Sequence, residues 1–256
     1  MTALPPGPAA PVRRAALPVA LCAALAAALT GCGEDPDAGT NGVGKLEAPA
    51  IEKKAKAAAD AADAVRVAGT LVSKGGTYKL NMRLKKSGGV GSVTSKNSTF
   101  ELLRVGDALY LKADAGFWVH ADAKGDGEPG KEDEAAAEKL DDKYVKVPEG
   151  DPAYKQLRGF TDMNVLLDGL LGLHGKLSKG ERATIGGVRT IKIMGGEGNG
   201  GTLAVSLVGK PYPVQLNRAG DAGVLTLGDW GQDFALEAPA KGETVDYGRQ
   251  LPRASD

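Results

Sequence analysis

Apolar residues fall at two different spacings along the chain, and the change of spacing divides it. From about Leu46 to Val65, the residues Ile51, Ala55, Ala58, Ala62 and Val65 recur at helical intervals with Lys, Glu and Asp between them. This predicts one amphipathic helix whose buried stripe is mostly alanine. From Val67 onward the period becomes two. Tyr78, Leu80, Met82 and Leu84 alternate with Lys79, Asn81, Arg83 and Lys85, which predicts a strand with one buried and one wet face. Gly75-Gly76 supplies a turn that makes 67–85 a hairpin. Further strands are expected at 90–95, 99–104, 108–113, 117–121 and 144–147, with a turn at Gly106-Asp107. Residues 122–143 are polar and charged and read as a surface excursion holding a short exposed helix over 135–140.

The period changes again at Asp151-Pro152, a good helix start with Asp as cap and Pro in the first turn. The segment to Leu173 is the most apolar outside the leader, and Gly159, Gly169 and Gly172 divide it into one or two short helices. A second block of strands follows, at 183–186, 188–194, 202–208, 212–218 and 223–229, with turns at Gly186-Gly187 and Gly195 to Gly201. The end of the chain beyond Ala238-Pro239 reads as extended, fraying after Tyr247.

Two runs of strands around a helical insert, with a helix in front, lack the strand–helix–strand alternation of a parallel sheet. The plan is α+β: one curved, mainly antiparallel sheet of about ten strands, a half-barrel, with helices packed on its concave face. A sheet that wide twists and curls, and glycine-rich strands assist the bend. Tyr78, Leu80 and Met82 would then face the concavity, with Leu166, Leu167, Leu170 and Leu171 lining or gating it. The same leucines also suit an ordinary core helix.

The N-terminus changes this picture most. Arg13 and Arg14 precede an apolar run from Ala15 to Leu29, shorter than a membrane span requires. The run ends in Leu29-Thr30-Gly31-Cys32, which resembles the lipobox of bacterial lipoproteins. In that family cleavage falls before the cysteine, here between Gly31 and Cys32, and the thiol carries a diacylglyceryl group. The expected organisation is a signal peptide over 1–31, a flexible tether over 32–44, one domain over 45–248 and a disordered tail over 249–256. The mature chain would sit lipid-anchored on the extracytoplasmic face of the cell membrane.

Charge and chemistry then exclude several classes. The 32 basic and 32 acidic residues balance, and loss of the leader removes two arginines, so no basic surplus exists for nucleic acid. Cys22 lies in the leader and Cys32 is spent on lipid, leaving no intramolecular disulfide. The two histidines, His120 in an expected strand and His174 at an expected helix end, form no metal signature. Lys124 spoils the acidic run Asp122, Asp126 and Glu128 as a calcium loop. A GxGxxG pattern spans Gly196 to Gly201, but a strand follows it where dinucleotide binding needs a helix, so it reads as a flexible turn. No catalytic constellation, metal site or cofactor is expected.

Four segments in order carry a family resemblance: Ala64-Val65-Arg66-Val67-Ala68-Gly69-Thr70-Leu71; Val105-Gly106-Asp107-Ala108-Leu109-Tyr110-Leu111-Lys112 leading to Phe117-Trp118; Ile185-Gly186-Gly187-Val188-Arg189; and Thr226-Leu227-Gly228-Asp229-Trp230-Gly231 before Pro239. With the lipobox in front, roughly residues 46–245 resemble the LppX/LprG group of actinobacterial lipoproteins, similar in fold to LolA and LolB. The resemblance implies a half-barrel around a hydrophobic cavity that holds a lipid or glycolipid for movement across the envelope. Two other readings stay open: an envelope interaction or structural lipoprotein with a filled core that binds another envelope protein, and an envelope hydrolase.

Overall fold

In a computed structural model of the chain, residues 37–73, 76–95, 98–122 and 131–246 are described. The leader, Gly31, Cys32, Gly75 and the tail over 249–256 lie outside them, as does the side chain of His120.

Helix α1 (Ala48–Asp60) leads into five antiparallel strands: β1 (Ala64–Ser73), β2 (Gly76–Lys85), β3 (Gly88–Ser95), β4 (Ser98–Val105) and β5 (Ala108–Ala113). Helices α2 (Ala115–Asp122) and α3 (Lys131–Leu140) precede β6 (Tyr144–Val147). The chain then runs through α4 (Pro152–Thr161) and α5 (Met163–Leu170) to β7 (Leu177–Ile185), β8 (Val188–Gly195), β9 (Thr202–Ser206), β10 (Pro213–Asn217), β11 (Val224–Gly228) and β12 (Thr244–Asp246). All twelve strands join one open sheet in the order β12-β6-β5-β4-β3-β2-β1-β11-β10-β9-β8-β7. Every pairing is antiparallel except β12 beside β6. The α+β plan with a curved, mainly antiparallel sheet therefore holds.

Register puts one apolar residue opposite another across the sheet. Val67 pairs with Met82 and Leu227, Leu80 with Val93, Leu102 with Leu111, Leu111 with Val145, and Ile193 with Leu203. All are buried. A one-residue slip would turn this whole set to solvent, so the alternation fixes the pairing. Helix α1 adds Ala48, Ile51, Ala55 and Ala59, all buried, and packs against β7, β8 and β10. A stripe of alanines lets its backbone approach the sheet closely.

The topology makes α4 and α5 a bridge. They carry the chain from β6, near one edge, to β7 at the other. The outer face has its own crossing, from β11 to β12. There Phe234 lies beneath Arg83 and Lys85, whose charged groups stand 4.7 and 5.0 Å from its ring centre. Lys85 donates to the Phe234 carbonyl at 2.7 Å and to Asp233 at 2.8 Å. This bond holds the Asp233 carboxyl below its usual range.

Several expectations need correction. Residues 117–121 are helical, not a strand: the Asp114 side chain accepts from the Phe117 N–H at 2.8 Å and starts α2. The excursion over 122–143 is not wholly exposed, because Ala137 and Leu140 of α3 are buried. The first helix stops at Asp60, and Val65 belongs to β1. His174 does not end a helix; α5 stops at Leu170, and the His174 N–H donates to the Gly200 carbonyl at 2.9 Å. The 195–201 turn is ordered by this contact. A Cβ on Gly200 would stand 1.8 Å from the His174 carbonyl oxygen, so only glycine fits. Strand β12 was not foreseen, and twelve strands replace about ten.

The expected tether also ends earlier than residue 44. The Asn41 N–H donates to the Leu207 carbonyl at 2.8 Å, and its side-chain amide donates to the Ser206 and Gly209 carbonyls at 3.0 Å each. Val43 is buried in a short 3₁₀ turn. Asparagine can satisfy several loop carbonyls at once, which fastens the chain to the β9–β10 connection.

Candidate functional site

The concave face of the sheet is the place to look for a site, since it is where sequence expectation and fold converge. Leu80 and Met82 of β2 point into it and are fully buried. Tyr78, one step further along the same face, is half-buried and meets Phe160 of α4 with ring centres 5.8 Å apart. Leu166, Leu167, Leu170 and Leu171 are all buried in the same apolar layer. The seven residues are thus brought into one continuous layer between sheet and helices, and in this state their side chains meet one another.

Helices α4 and α5 reach this layer by different means. Asp151 caps α4, accepting from the Ala153 N–H at 2.8 Å. The Tyr154 hydroxyl donates to the Asp107 carbonyl at 2.7 Å. Its C-terminus rests on a buried charge. Phe100, Leu102 and Arg104 lie two apart in β4, so the guanidinium falls on the apolar face, 4% exposed. Arg104 donates from Nη2 to the Thr161 carbonyl at 2.9 Å, from Nε to the Thr161 hydroxyl at 3.2 Å and from Nη1 to the Gly106 carbonyl at 2.6 Å. Burial pushes its pKa down, and the Asp162 carboxylate at 3.9 Å pulls it back up; an arginine keeps its charge under such opposing forces. Opposite Arg104 stands Gly89, where a Cβ would lie 2.5 Å from Leu84 Cδ2 and 3.0 Å from the Thr161 carbonyl oxygen. The missing side chain makes room for the helix end.

Helix α5 is different. Its cap is local: the Asp162 side chain accepts from the Val165 N–H at 3.2 Å. Otherwise it presents Met163, Leu166, Leu167 and Leu170 inward and Val165, 59% exposed, outward.

A second feature of the layer is Trp118 of α2, which is 1% exposed. Its ring meets Phe117 edge-on at 5.1 Å, and Phe117 meets Phe100 at 5.6 Å. Its indole N–H is buried and has no hydrogen-bond partner among the described residues. Buried donors in folded proteins are nearly always paired, so this one asks for an explanation. Two surface depressions of about 390 Å³ each were also found, one bordered by Asp107, Lys146, Glu149 and Asp246, the other by Lys176, Ser178 and Glu197. Neither is bordered by the seven residues above.

Sequence reasoning noted Trp118 but placed it in a strand, and it missed Arg104. The signal for Arg104 was present: it continues the period-two face of Phe100 and Leu102. Among the described residues no three His, Cys, Asp or Glu side chains converge on a metal position, and no helix is long and apolar enough to cross a membrane.

No family model and no curated protein matches the sequence. Solved structures do match. LprF from Mycobacterium bovis superposes with a TM-score of 0.52 at 17% identity, over 75% of this chain and 97% of that one. The Mycobacterium tuberculosis lipoprotein LppX aligns at 14% identity and a TM-score of 0.41, over 74% of this chain and 99% of that one. The curved sheet with helices on its concave side is thus the fold of LprF, and the resemblance to the LppX/LprG group read from the sequence is borne out at the level of the fold.

Proposed function

We propose that the protein is a non-catalytic lipoprotein, anchored through Cys32 to the extracytoplasmic face of the membrane, that holds lipid acyl chains between its sheet and α2, α4 and α5. The observation that carries this reading is the unpaired Trp118 N–H inside an otherwise apolar layer. A finished protein core has no use for a buried donor without an acceptor. A lipid has apolar chains for the layer and an ester or amide carbonyl for the indole. Hydrocarbon entering beside α5 replaces leucine–leucine contacts with leucine–lipid contacts of similar energy, so the exchange costs little. The fold is compatible with this reading without dictating it.

Lipid extraction and mass spectrometry of the gently purified protein should find acyl lipid at near-stoichiometric amounts. A fluorescent fatty acid should bind the delipidated protein, and Trp118→Phe should weaken that binding roughly tenfold, the worth of one buried hydrogen bond. Protein that is consistently bare, takes up no probe and moves no lipid between vesicles overturns the proposal.

A second reading rests on a specific observation as well. Leu166, Leu167, Leu170 and Leu171 are buried against their neighbours, and the two depressions found lie elsewhere on the surface. An interaction lipoprotein with a permanently filled interior, recognising another envelope protein, fits that packing. It would leave the Trp118 N–H unexplained.

A further inference from the structure

The loop between β9 and β10 gathers features that a water-facing hairpin does not need. Val208 at its tip is 51% exposed. Tyr212 and Trp230 stack face to face, with ring centres 4.8 Å apart and planes 2° from parallel, and both rings are half-buried. The Trp230 indole donates to the Pro213 carbonyl at 2.9 Å, and the Lys210 ammonium stands 5.9 Å above the Tyr212 ring. The Tyr212 N–H donates to the Lys210 carbonyl at 2.8 Å, and Ser206 donates to the Tyr212 carbonyl at 2.9 Å, so the aromatic platform is held rigidly. It is also the place where the N-terminal segment is fastened. Asn41 bonds to Ser206, Leu207 and Gly209, and Arg189 Nη2 donates to the Gly39 carbonyl at 3.1 Å.

Gly39 is seven residues from Cys32. Fully extended, that length spans at most about 25 Å. With Cys32 acylated, the end of the domain that carries this loop is therefore the end held closest to the lipid. Tryptophan and tyrosine favour the headgroup region of a bilayer, where a flat ring meets apolar chains and its polar edge stays hydrated; lysine suits anionic headgroups.

We propose that Val208, Lys210, Tyr212 and Trp230 form a membrane-contact surface that seats the domain on a phospholipid bilayer containing anionic lipid. The proposal rests on the anchored-lipoprotein reading, which supplies the short tether. It assigns the platform a role separate from the acyl-chain layer on the concave face: it fixes which end of the half-barrel meets the membrane.

The chain has two tryptophans, Trp118 in the interior and Trp230 on the platform. The full-length protein, expressed with its own leader in a host that acylates it, is reconstituted in phosphatidylcholine vesicles with a minority of phosphatidylglycerol. Dibrominated phosphatidylcholine then replaces the ordinary lipid, and the mass of the N-terminal peptide is measured in parallel. Quenching of about a quarter of the total tryptophan emission is expected, roughly a twofold drop in the Trp230 share, which headgroup-level rings should show. Trp230→Phe should remove the quenchable fraction while leaving acylation and vesicle flotation intact. Val208→Asp should reduce the quenching without touching either tryptophan. Emission that stays unquenched in protein that is acylated and floats with the vesicles overturns the surface and leaves the anchor standing. An unmodified Cys32 in protein that fails to float overturns both. Quenching that Trp230→Phe leaves undiminished comes from Trp118 alone and also overturns the surface, pointing to lipid in the interior instead.

Discussion

Helices α4 and α5 are joined at Asp162, lie on the same apolar layer and are nearly equal in length, yet they are held in opposite ways. Helix α4 is pinned by directional bonds at both ends: its cap at Asp151, the Tyr154 hydroxyl on Asp107, and two Arg104 donors on Thr161 at its C-terminus. Helix α5 is held to the layer by methionine and leucine side chains. A pinned helix cannot move without stranding a buried charge or a carbonyl, which costs several kcal/mol. An oily helix can move if something equally oily takes its place. The pair therefore reads as a fixed post beside a movable panel.

The largest expected effect tests the post. Arg104→Ala leaves the Thr161 carbonyl without its donor and opens a hole under α4, so it should cost about 4 kcal/mol in urea unfolding. Fatty acid should restore none of it. The next tests the panel. Leu167→Ala should cost about 3 kcal/mol, but part of that should return in the presence of saturating fatty acid, because hydrocarbon fills the cavity and binds only the folded state. If the two variants respond alike to fatty acid, the distinction between the helices is wrong. Gly89→Ala should cost about 2 kcal/mol by forcing Leu84 and the Thr161 carbonyl apart, and it should loosen α4 in particular. Asp162→Ala removes the α5 cap and should cost about 1 kcal/mol beyond Asp162→Asn, which loses the charge beside Arg104 but keeps a capping oxygen. Hydrogen exchange should then quicken across Val165 to Leu170 while the interior of α4 changes little. Equal quickening in both helices would mean that the joint, and not the sheet, holds α4.

The sequence made the sheet legible where alternation was strict. Leu80, Met82 and Leu84 place β2 and its buried face without ambiguity, and the register of its neighbours follows. Legibility failed where a single polar bond decides the outcome. Asp114 turns Phe117 and Trp118 from an expected strand into a helix, because one carboxylate satisfies the first free N–H of that turn. Asn41 likewise folds back a segment whose composition reads as linker. Strand β12 was beyond reach for another reason: three residues carry too short a pattern to show a period, and its partner β6 is distant in sequence. The candidate site was half legible. Its apolar members could be read from spacing, whereas Arg104 is conspicuous only when the face shared with Phe100 and Leu102 is followed one step further, and the unpaired Trp118 donor needs coordinates.

The short parallel strand β12 has one more consequence. An open sheet ends in two rows of unpaired backbone groups, each a template for another chain. Here β12 lies beside three of the four residues of β6, Tyr144 to Lys146. At the far edge, β7 is broken by a bulge between Lys179 and Arg182 and bears Glu181 between them. The β7 border therefore offers no long flat ledge. A blunted border keeps neighbouring copies from pairing edge to edge and zipping into fibres when they crowd together.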